Sequence, residues 1–166
     1  MAELRIERVL NAPPALAFHA LGEVLSDLAA QRDGWKGFVL HVDLGDVGLA
    51  DVGYVAIPMA LDLQPVQSGV LQIGATIRAA RHPESFPVFT GAFGIDATGP
   101  AGAMLWLAGS YEVPLQRAGK VLDATLLRGV ARKALENLVE DLAIASRARI
   151  DRNEAAYARY RLFDRG

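Results

Sequence analysis

The stretch LWLAGSYEVP, residues 105–114, decides how this chain folds. Leu105, Leu107 and Tyr111 alternate along it, the period of a strand with one buried face. Trp106 and Ala108 make the opposite face apolar as well, and Gly109 removes a side chain from the middle of the run. A glycine inside a strand weakens it and marks a bend or the close approach of another group. Such a strand suits a sheet that curls around something. Gly109 then either lets the sheet bend or leaves room for a helix or a ligand.

The neighbouring segments repeat the pattern. ATGPAG (97–102) is suited to a hairpin loop, and before it FPVFTGAFGID (86–96) carries Phe89, Phe93 and Ile95 on one parity with Gly91 between them. VLQIGATIRAAR (70–81) sets Leu71, Ile73, Ala75 and Ile77 against Gln72, Thr76 and Arg78. VGYVAIPMALDLQ (52–64) alternates Val55, Ile57, Met59, Leu61 and Leu63 with polar or small residues, and GFVLHVDLG (37–45) does the same with Phe38, Leu40 and Val42. Pro58 cannot donate to a ladder, so its strand is expected to lie at an edge, to bend, or to be two strands. Short connections between five such segments predict an antiparallel meander rather than a parallel sheet.

Two helical stretches flank the meander. After a first strand, ELRIERVLN (3–11), the prolines Pro13 and Pro14 fit a helix entry, and Phe18, Leu21, Val24, Leu25 and Leu28 follow as one apolar stripe, with Gly34 as the expected stop. From Asp123, a candidate N-cap, to at least Ser146 a long helix carries Leu127, Val130, Ala131, Ala134, Leu135, Leu138, Val139 and Leu142 on one face. Arg132 and Glu136 are spaced for an i,i+4 pair on the other. A sheet with an apolar face must cover it, and only this second helix is long enough to do so.

With 166 residues and 52% apolar composition the chain is expected to form one domain with a large core. The net charge of −2, without clustered Lys or Arg, argues against nucleic acid as a partner. There is no cysteine, so disulfides and thiolate chemistry are excluded. No signal peptide or run of about 18 apolar residues is apparent, so a cytoplasmic location without a transmembrane segment is expected.

The order strand, helix, antiparallel strands, long helix resembles the SRPBCC superfamily of START-like, pollen-allergen-like and polyketide cyclase proteins. LNAPPALAFHAL (10–21) is similar to the family's first strand running into its first helix. PVFTG (87–91), LAGSYEVP (107–114) and Asp123 before the long helix resemble a bacterial branch of that superfamily. The resemblance covers residues 3–146 and implies an α+β helix-grip fold: a curved antiparallel sheet of about six strands wrapped around the C-terminal helix. It also implies a cavity between the two that takes an apolar small molecule.

On the strand and helix parities, that cavity is expected to be lined by Arg8, Met59, Phe89, Gly91, Phe93, Ile95, Leu107, Gly109 and Tyr111 from the sheet, and by Leu127, Val130 and Ala134 from the helix. Arg8 shares the parity of Leu4, Ile6 and Leu10, where an unpaired guanidinium would be costly. It is expected to reach water, to pair with a carboxylate, or to hold an acidic head group. Tyr111 offers one hydroxyl.

Little points to chemistry. His19, His41 and His82 lack metal-ligand spacing, GDVGLADVG (45–53) has neither a Walker lysine nor GxGxxG spacing, and no G-x-S-x-G elbow occurs. No metal, cofactor or catalytic residue is therefore expected. The reading is a carrier of a lipid-like or polyketide-like molecule in a cavity of about 300 Å³ or more. The alternatives are a cyclase- or dehydratase-like enzyme using Arg8, Tyr111 and one histidine, or an interaction protein whose cavity is filled. Residues 147–166, with six Arg and with Tyr157, Tyr160 and Phe163, read as a C-terminal helical or tail extension that folds back on the domain, joins a homodimer or rests on an acidic surface.

Overall fold

The computed structural model describes residues 2–32, 35–43, 45, 53–65, 70–83, 86–112 and 124–163, with the backbone alone at 31–32, 35–36, 54, 124–127 and 156–163. Strand β1 (Ala2–Leu10) leads into helix α1 (Pro14–Ala29). Two-residue strands β2 (Gln31–Arg32) and β3 (Trp35–Lys36) pair as a small ribbon. The meander follows as β4 (Phe38–Asp43), β5 (Tyr54–Leu63), β6 (Gln72–Ala79), β7 (Val88–Gly99) and β8 (Gly102–Glu112), and α2 (Ala124–Phe163) closes the chain. The main sheet has six antiparallel strands in the order β1-β8-β7-β6-β5-β4. The first strand closes against the last, as a sheet curling round a helix requires.

Local chemistry explains the elements. Pro13 stands at the N-cap of α1 and Pro14 opens its first turn, where a missing N–H costs nothing. The helix ends at Ala29, with Ala30 already extended; Gly34, the expected stop, lies outside the described residues, as does Asp123. Pro58 faces Val39 of β4, and its carbonyl accepts from the Ala80 amide at 2.8 Å. β5 pairs with β4 along residues 54–59 and with β6 along 59–63, so it changes partner beside the proline. Arg132 and Glu136 form their pair at 3.0 Å.

Gly91 and Gly109 stand directly opposite each other across β7 and β8. A Cβ on Gly109 would lie 2.4 Å from the Thr90 carbonyl oxygen and 2.6 Å from Gly91 Cα; one on Gly91 would lie 2.2 Å from the Ala108 carbonyl oxygen. The Phe89 ring tip comes within 2.8 Å of both would-be atoms. The hole in the apolar strand is thus occupied twice over, by the neighbouring backbone and by Phe89. On the convex face, Trp106 lies over its own cross-strand partner Gly94, where a Cβ would sit 2.1 Å from the indole. Arg5 lies over that ring at 5.0 Å, and the indole N–H donates to Asp96 at 3.0 Å.

The expectation that α2 alone covers the concave face needs correction. Helix α1 packs there against β5, β7 and β8, while α2 packs on α1, β1, β4 and β8. Ala17, Leu21 and Leu25 of α1 are fully buried, because its apolar stripe is as wide as the half of the palm it fills. Helix α2 is continuous over 40 residues, so residues 147–163 extend it as a helix, one of the two forms expected for that segment. Past Ser146 this helix stays clamped to α1. Ile150 packs with Ala12 and Ala20, Arg147 donates to the Asn11 carbonyl, and Arg149 pairs with Asp27 and Glu23. The hydrogen bond from Arg149 to Asp27 raises the Arg149 pKa above its ordinary value. The side chains of Tyr157, Tyr160 and Phe163 lie outside the described residues.

Candidate functional site

Where α1 leaves the palm uncovered, a small pocket remains between the sheet and α2. Its wall is built strand by strand from inward-facing residues: Leu40 of β4, Ile57 and Met59 of β5, Ile77 of β6, Phe89 of β7 and Tyr111 of β8. Val130, Ala131, Ala134 and Leu135 of α2 form its roof, and Phe86 and Pro87 its lip. The volume is about 60 Å³, well short of the roughly 300 Å³ or more expected, because α1 packs on β5, β7 and β8 and fills the rest of the palm. Among the described lining residues the Tyr111 hydroxyl is the single polar side-chain group. Phe89 is the floor, and it reaches that position because Gly91 and Gly109 carry no side chains to obstruct it.

Five of the residues expected to line a cavity meet here: Met59, Phe89, Tyr111, Val130 and Ala134. Phe93, Ile95 and Leu107 keep the inward parity but lie in the solid half of the palm, buried to 3% exposure or less, in the part of the sheet that α1 covers. Gly91 and Gly109 sit behind Phe89. Arg8 is away from the pocket and half-buried, its Nε donating to Glu140 on α2 and its Nη1 to the Glu7 carbonyl. It pairs with a carboxylate, which ties edge strand β1 to α2. The side chain of Leu127 lies outside the described residues.

Leu40, Ile57, Ile77, Ala131 and Leu135 lie on the expected apolar parities, and only the position of α1 distinguishes them from their buried neighbours. Phe86 and Pro87 carry no periodic signal at all. The histidines do not converge on the pocket. His19 is exposed and 3.7 Å from Glu23, while His41 and His82 are exposed on β4 and after β6. Among the described residues no group of His, Asp or Glu is arranged to hold a metal ion, and no helix is long and apolar enough to cross a membrane.

No family model matches the chain, and no curated protein does. Solved structures do. The six-stranded curled sheet around a C-terminal helix is a helix-grip fold, and the solved structures similar to it share that fold. A conserved protein from Geobacillus kaustophilus is similar with a TM-score of 0.52 and 14% identity, over 91% of this chain and 96% of that one. The protein TTHA0849 from Thermus thermophilus is similar at a TM-score of 0.51 and 17% identity, over 90% and 97%. The di-domain ARO/CYC protein BexL of the BE-7585A biosynthetic pathway matches at a TM-score of 0.50 and 16% identity, with 91% of this chain on 47% of that one.

Proposed function

We propose that the protein binds an apolar small molecule, lipid-like or polyketide-like, in the pocket between sheet and α2, without transforming it. The observation that carries this reading is the chemistry of the wall: eleven apolar side chains and one phenol, drawn from five strands, the loop before β7, and a helix. Burial of carbon against carbon supplies affinity there, and the Tyr111 hydroxyl supplies one direction. A volume of about 60 Å³ seats the end of an alkyl chain or the edge of a ring, with the rest of the ligand passing the lip at Phe86 and Pro87.

The similarity to BexL concerns fold. A cyclase-like reaction needs acid and base groups beside the reacting carbons. Among the described residues no two ionisable side chains meet in this pocket, and Arg8 is engaged with Glu140. Carriage is therefore the reading the geometry supports best.

Native mass spectrometry on detergent-free protein, followed by organic extraction, is expected to reveal a co-purifying apolar mass. With stripped protein, 1-octanol is expected to shift the amide resonances of Ala131 and Ala134. Ala134→Phe, which fills the roof, should weaken that binding about tenfold or more with the fold retained. Ala131→Leu serves the same purpose if Ala134→Phe melts early. An absence of bound mass, together with octanol shifts that both variants leave unchanged, would refute the proposal.

A further inference from the structure

A second concavity lies on the far side of Leu40, between edge strand β4, the last turns of α1 and the middle of α2. At about 470 Å³ it falls within the range of small-molecule sites. Its floor is apolar: Val24 and Leu28 from α1, Leu138, Leu142 and Ala145 from α2, and Leu40 from the sheet. Its rim is acidic: Asp43 at the end of β4 and Glu140 and Asp141 on α2 are exposed and line the same space. His41 and Asn137 complete the rim, the Asn137 amide donating to the His41 carbonyl at 3.2 Å and holding α2 to the strand edge.

The charges there are unequally matched. Glu140 is neutralised by Arg8. Asp43 accepts from the uncharged Gly45 amide, at 2.8 Å, and Asp141 has no cation within ion-pair distance among the described residues. Two carboxylates from two different elements thus stand over a carbon floor in a site of ligand size. Asp43 and Asp141 are both exposed, so a cation reaches them directly from solvent, and an apolar body attached to that cation covers the floor.

We propose that this groove is a binding site for an organic cation carrying an apolar body, an ammonium group on a short chain or ring, with Asp43 and Asp141 holding the charge. It is separate from the pocket under the palm, sharing only the Leu40 wall, and stands or falls independently of it.

The test is a titration of the full chain with hexyltrimethylammonium, hexanoate and 1-hexanol, read by calorimetry and by amide shifts. The cation is expected to shift Val39, Asn137 and Ala145, and to bind about tenfold or more tightly than the anion or the alcohol. Asp141→Asn, an exposed change that leaves packing intact, should weaken it about fivefold, and Asp43→Asn with Asp141→Asn should abolish selectivity for the cation. Ala145→Leu should block the floor, while Ala134→Phe in the other pocket leaves cation binding as it was. Equal binding of all three probes, shifts confined to Ala131 and Ala134, or indifference to Asp141→Asn would each overturn the site.

Discussion

Gly109→Ala is expected to destabilise the protein by about 3 kcal/mol, lowering the melting temperature by roughly 9 °C. The added Cβ would meet the Thr90 carbonyl oxygen and Gly91 Cα, both backbone atoms of the paired strand. Neither can rotate away, so β7 and β8 must separate at this pair. Gly91→Ala should cost a similar amount, since its Cβ meets the Ala108 carbonyl oxygen. The two together should cost less than their sum, because one separation of the strands relieves both. Thermal melts followed by circular dichroism decide the matter. A melting temperature within about 2 °C of the parent would mean that the strands are not held this close.

Phe93→Ala is expected to cost about 3–5 kcal/mol, the largest effect of any truncation considered. Phe93 is completely buried and pairs with Ile73 and Leu107 on either side. Gly22 of α1 approaches Ile73 to 3.9 Å from its would-be Cβ, so the helix lies directly on this row. Removing the ring leaves a cavity that neither helix nor sheet can collapse around. Urea unfolding with an unchanged m-value should show the loss as a shift in midpoint. A cost below about 1.5 kcal/mol would place Phe93 beside an existing void instead of in solid packing.

These two variants also mark how far the fold and the site could be read in advance. The alternation of Leu105, Leu107 and Tyr111, matched by Phe89, Phe93 and Ile95, predicts both strands and their inner faces, and the structure bears both out. The switch to a 3.6-residue period after residue 123 predicts α2, and the order of elements predicts the helix grip. Parity cannot distinguish Phe89 at a pocket from Phe93 in a solid core. The two differ by four residues on the same face, and what separates them is the position of α1 above the sheet.

Other misses have the same cause. Arg8 is anomalous on an apolar parity because its partner, Glu140, is 132 residues away on α2. Gly94 carries no signal of its own, since its meaning lies in Trp106 across the hairpin. The groove at β4 joins residues from three elements, and nothing in the spacing of Asp43 and Asp141 announces that they face one space.

By itself the sequence determined the main strands and helices, their inward faces, the close approach marked by Gly91 and Gly109, and the helix-grip order. Periodicity and turn chemistry are properties of neighbours along the chain, so they are written in it directly. The tertiary structure alone decided how the palm is shared between α1 and α2, where a pocket is left, and which charges meet. Those depend on what stands opposite a face, and a face's period carries no information about its partner.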